Sequence, residues 1–110
     1  MNNEDKKELR KHKRHPFKEE ILIDGIKIST IIDISQGGLY IDAIQACEKK
    51  SVIDVAIPYK GGKVTLKVQI QYCQPGIGMG TMFIDLNDEQ REIITKLIES
   101  IIKQSAKPKV

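Results

Sequence analysis

The chain of 110 residues contains no tryptophan, and only 5% of it is aromatic, as two Phe and three Tyr. So few flat side chains leave little to stack a long run of nucleic-acid bases. The two cysteines, Cys47 and Cys73, stand far apart and form no CxxC pair. That spacing excludes a zinc ribbon and predicts unpaired thiols that act as small apolar fillers. His12 and His15 have no Cys or carboxylate at ligand spacing, so no metal site is expected. No Ser/His/Asp order, HExxH or GxxxxGK[ST] occurs, and no enzyme is indicated. Uncharged apolar stretches fall far short of the roughly 18–20 residues that a membrane-spanning helix needs. Residues 1–18 are too polar for the apolar core of a secretory signal, and a cytoplasmic location is expected.

What is present suits one folded domain. The hydrophobic fraction is 40% and the charged fraction 30%, which is the balance of a globular chain. The formal net charge of +3 is unevenly spread. Residues 1–18 carry seven cations against three anions, a surplus of +4, and the remainder carries eleven against twelve, or −1. The positive excess therefore sits on an N-terminal arm, residues 1–16, in front of a nearly neutral body. Such an arm fits either a solubilising tail or an anionic partner such as phosphate, nucleic acid or acidic lipid.

From Phe17 onward the chain is dominated by Ile and Val in short runs broken by turn residues. Glu20–Ile23 and Ile26–Ile32 flank Asp24-Gly25, a pair suited to the two positive φ values of a tight hairpin turn. Gly38–Ile41, Val52–Ile57 and Ile77–Ile84 are further strands. Between Lys63 and Tyr72 every even position is apolar and every odd one polar, the period of a strand with one buried face. Six strands with turns every 8–12 residues predict a small antiparallel barrel or sandwich, and a closed barrel removes exposed edges. Asn87 can then cap a helix, with Gln90 completing a capping box. Ile93, Ile94, Leu97, Ile98, Ile101 and Ile102 form one helical stripe, read as packing on the barrel rather than as a dimer seam. The predicted layout is a basic arm, a mainly β domain over residues 17–104 that closes with this helix, and a frayed tail over 105–110.

Two motifs carry chemistry. Only three of the eighteen basic residues are arginines, yet Arg10 and Arg14 stand four apart within the arm. A guanidinium grips phosphate or a base edge with a planar fork and stacks on flat rings. The second motif, Asp33-Ile34-Ser35-Gln36-Gly37-Gly38, joins two predicted strands. Asp33 is an acceptor for paired N–H donors, Ser35 adds a hydroxyl of either polarity, and Gly37 and Gly38 allow close approach of the backbone. The same residues also suit an ordinary turn.

Taken together, RxxxR followed by DxSxxG resembles the PilZ domain family, bacterial receptors for cyclic di-GMP. His15-Pro16-Phe17 after the second arginine, and Gly78–Leu86 before the closing helix, are also similar to that family. The resemblance spans residues 9–103. It implies a six-stranded antiparallel β-barrel with a C-terminal α-helix, no catalysis, no cofactor, and cyclic di-GMP bound at the barrel rim. Arg10 and Arg14 would hold phosphate and guanine, Asp33 and Ser35 would contact a guanine edge, and Gly37 and Gly38 would let the ligand approach. Leu9 stands where many relatives carry a third arginine, which favours one ligand per site over a stacked pair. Tyr40 and Phe17 are read as rim or core packing. The implied partner is a downstream protein of motility, pilus, polysaccharide or chemotaxis machinery, with no membrane insertion and no DNA. The alternatives are a basic-armed barrel that binds RNA or single-stranded DNA, and a PilZ-like adapter without nucleotide binding.

Overall fold

The computed structural model describes residues 12–43 and 47–106. Its strands are β1 (His15–Ile23), β2 (Lys27–Ile34), β3 (Leu39–Ile41), β4 (Val52–Tyr59), β5 (Gly62–Gln74) and β6 (Gly78–Phe83), followed by helix α1 (Asp88–Ala106). All pair antiparallel and close into a barrel in the order β1-β2-β3-β6-β5-β4. Closure gives the outer strands of the sheet partners and leaves no long free edge.

The turns follow from their residues. Asp24 and Gly25 take positive φ of 52° and 72° in a tight turn closed by the Ile26 N–H donating to the Ile23 carbonyl at 3.0 Å. Ile26, expected in the second strand, falls in the loop because Ile23 pairs with Lys27. The Asp24 carboxylate also accepts a bond from the Asp54 N–H at 2.8 Å, which fastens this hairpin to β4. Ile31, Ile34, Ile41, Val55, Ile57, Leu66 and Val68 are fully buried in the barrel interior. Each such aliphatic side chain contributes about 1.5–3 kcal/mol of burial.

Helix α1 begins as its sequence requires. The Asn87 carboxamide oxygen accepts from the Gln90 N–H at 2.7 Å, and the Gln90 side chain accepts from the Asn87 N–H at 2.9 Å. This reciprocal pair satisfies two otherwise orphaned N–H groups. The Gln90 amide further donates to the Thr65 carbonyl at 3.1 Å, tying the helix to β5. Ile94 and Ile98 are buried in the barrel core and Leu97 and Ile101 pack against it, so these four of the stripe pack the helix on the barrel, whereas Ile102 is exposed.

The cysteines depart from expectation. Cys47 and Cys73 form a disulfide with Cα atoms 5.7 Å apart. The segment before β4 passes over the far end of β5, a proximity that 26 residues of separation hide. Among the described residues no helix is long and apolar enough to cross a membrane.

Candidate functional site

Strand pairing alone assembles the site. Pro16 on β1 lies opposite Asp33 on β2, Asp33 opposite Tyr40 on β3, Tyr40 opposite Gly80 on β6, and Gly80 opposite Tyr72 on β5. Directly paired residues share a face of a sheet, so these form one continuous row across five strands. The ladder shifts register between Pro16 and Glu19, between Ile31 and Asp33, and between Ile70 and Tyr72. Each irregularity adjoins a residue of the row. Bulges of this kind re-aim side chains, and they gather at barrel rims and functional sites.

The third shift matters most. Before it, Val68 and Ile70 alternate inward with the strand period. Gln71 is then the extra residue of β5, since Ile70 pairs with Thr81 and Tyr72 with Gly80. Tyr72 therefore leaves the interior face and is 41% exposed. Strict alternation would have buried it.

A cleft of about 200 Å³ opens beside the row. Arg14, Asp33, Ser35, Gly37 and Gly38 all line it, together with His12, Tyr40, Gln71, Tyr72 and Thr81. Arg10 and Leu9 lie outside the described residues. The Arg14 guanidinium carbon stands 5.9 Å from the Tyr40 ring centroid, within the range of a cation–π contact. Tyr40 thus belongs to the cleft rather than to packing alone, whereas Phe17 packs against the core.

The turn between β2 and β3 is held by its own serine. The Ser35 hydroxyl accepts from the N–H groups of Gly37 at 3.1 Å and Gly38 at 3.2 Å, and the Ser35 N–H donates to the Gly38 carbonyl at 2.9 Å. The Phe83 N–H donates to the Gly37 carbonyl at 2.9 Å, pinning the turn to the end of β6. A Cβ on Gly38 would collide with the main chain at Thr81, so the close approach this glycine permits is that of β6. A Cβ on Gly37 would stand 2.8 Å from the His12 ring, which places the end of the basic arm against the turn. Gln36 points the other way, its amide reaching the Thr95 hydroxyl of α1 at 3.5 Å.

His12, Gln71 and Tyr72 were not predicted. His12 belongs to the motif-bearing arm and could have been weighed as a cleft residue. No sequence signal marks the bulge that brings Gln71 and Tyr72 to the cleft. A wider groove of about 970 Å³ lies between α1 and the β4–β5 turn, and none of the described motif residues lines it. Among the described residues no cluster of three His, Cys, Asp or Glu could hold a metal ion.

A family model described as the PilZ domain matches residues 8–100. Two solved structures are similar in fold. The crystal structure of the PilZ domain of CeSA from a cellulose-synthesizing bacterium has a TM-score of 0.67 at 18% identity, over 82% of this chain and 98% of that one. The crystal structure of the Borreliella burgdorferi PlzA protein in complex with c-di-GMP has a TM-score of 0.54 at 16% identity, over 84% of this chain and 42% of that one. No curated protein matches the chain. With the family match spanning most of its length and a six-stranded barrel closed by a helix beneath it, the chain belongs to the PilZ domain family.

Proposed function

We propose that this chain is a receptor for cyclic di-GMP, without catalysis, that closes its basic arm on the ligand and signals through a protein partner. The observation that carries the reading is the meeting of Arg14, Asp33 and Ser35 at one cleft of a PilZ-domain barrel. The PlzA relative was solved with c-di-GMP bound, which supports the same ligand here. The chemistry agrees. A dianion with two flat purines calls for guanidinium forks, which Arg14 supplies and Arg10 would join. A carboxylate such as Asp33 can accept the paired N–H donors that a guanine edge presents. The cleft of about 200 Å³ is smaller than the roughly 300–1,000 Å³ of most ligand pockets, so a dinucleotide would extend over the rim. His12 rests against Gly37, and in this reading the arm that precedes it folds over what extends. Ordering a segment over a ligand is a recognised switch for a module with no chemistry of its own.

Titration calorimetry with cyclic di-GMP tests this reading, with one ligand per chain expected. Arg14→Ala should weaken binding by about 10- to 150-fold, the worth of a charged hydrogen bond of roughly 1.5–3 kcal/mol. Arg10→Ala should act alike, and Asp33→Ala should lower the preference for guanine over adenine. Absence of binding at high micromolar ligand would sink the proposal. Tolerance of any oligonucleotide, with a steep loss of affinity in salt, would point to a single-strand binder instead.

A further inference from the structure

The row that passes through Asp33 does not end at the motif. Three strand spacings of about 4.8 Å carry it through Tyr40 and Gly80 to Tyr72, a path of roughly 14 Å along the curved sheet from β2 to β5, on the same face. The two rings are built into place by glycine. A Cβ on Gly80 would occupy the space of the Tyr72 ring, and one on Gly78 that of the Tyr40 ring. Each ring thus lies down on a bare strand, with its lower face covered. The centroids stand 6.3 Å apart with the planes tilted by 38°. Tyr72 remains 41% exposed, in a cleft that already holds a guanidinium and a carboxylate. Two of the three tyrosines of a chain without tryptophan are spent here. A ring that served only to cover glycine backbone would not need to face such a cleft.

We infer that Tyr72, seated on Gly80 beside Tyr40, is a stacking surface for a purine of the ligand, at the opposite end of the row from Asp33. The inference rests on the receptor reading and divides the labour of recognition. Asp33 reads the edge of one base, whereas Tyr72 holds a flat face and is indifferent to which purine it carries. Stacking of this kind tolerates any base because every base has a π-face. A linear dinucleotide with the same bases would use the same surface.

The test separates the inference from the reading beneath it. In calorimetry, Tyr72→Leu should weaken cyclic di-GMP by roughly 5- to 150-fold, the range for loss of one base–aromatic stack. Tyr72→Phe should bind within about twofold of the unmodified chain, because the ring is kept. Selectivity for cyclic di-GMP over cyclic di-AMP should survive in Tyr72→Leu and fall in Asp33→Ala. Intrinsic emission offers a readout that needs no variant, since all of it comes from tyrosine. Saturating ligand should quench it, and Tyr72→Phe should lose most of that quenching while still binding. Wild-type-like affinity in Tyr72→Leu would overturn the stacking role, as would emission that saturating ligand leaves unchanged. An unmodified chain that binds no cyclic di-GMP would instead remove the receptor reading itself.

Discussion

At the scale of single residues, the barrel imposes its demands chiefly through glycine. Gly38 has the main chain of β6 where its side chain would be, with the Thr81 carbonyl carbon 2.9 Å from an added Cβ. Main chain cannot step aside as a side chain can. Gly38→Ala should therefore destabilise the free protein by about 1–3 kcal/mol, the usual range for overpacking. A thermal melt without ligand would register this as a midpoint lower by several degrees. Gly37→Ala meets first the His12 ring, a side chain that can turn aside, and should cost less. The motif spacing made Gly38 legible as a residue of interest, but not for this reason, since its neighbour lies 43 positions along the chain. Ser35 was legible as a hydroxyl at the site. That this hydroxyl also ties two N–H groups of its own turn follows only from the folded geometry.

At the scale of elements, local chemistry was readable and register was not. The capping box at Asn87 and Gln90, the helical stripe and the Asp24-Gly25 turn are written within a few residues each, and they formed with two departures, Ile26 falling in the turn and Ile102 at the end of the stripe lying exposed. The shifts at β1, β2 and β5 depend on partner strands and leave no local trace. Helix α1 has a double attachment, at Thr65 through Gln90 and at Gln36 through Thr95. Removing its cap with Asn87→Ala should cost about 1 kcal/mol, or roughly 4–8 °C of melting temperature for a domain of this size. Circular dichroism at the helical band would follow the loss. An unchanged midpoint would mean that packing of Ile94 and Ile98 alone sets the start of the helix.

At the scale of the molecule, one covalent link and one charge asymmetry stand out. The Cys47–Cys73 disulfide fastens the segment ahead of β4 to the far end of β5 and closes a loop spanning 26 positions. A loop of that length confers about 3.5 kcal/mol in the chain-entropy view. Reduction, or Cys47→Ser with Cys73→Ser, should therefore lower the unfolding midpoint in denaturant, and an identical midpoint with and without reductant would refute the contribution. The bond joins Cys73, immediately after Tyr72, to the body of the fold, so it also steadies the strand that carries the ring. The surplus of +4 on the first eighteen residues faces a remainder of −1. Among the described residues Lys13, Arg14 and Lys18 carry three of those cations, and Arg14 lines the cleft beside His12.

Strand β5 is best understood as two half-strands of opposite parity joined at Gln71. The first half, through Ile70, turns its even-numbered side chains inward and builds the barrel. In the second half the parity reverses, so that an even-numbered ring faces the cleft and an odd-numbered sulfur, Cys73, turns toward the core. Both outcomes hang on one inserted residue. A sister chain lacking it would send its counterpart of Tyr72 indoors and its counterpart of Cys73 out. Aromatic platform and sulfur tether would then be gained or lost together, in a single step of chain length rather than by two substitutions.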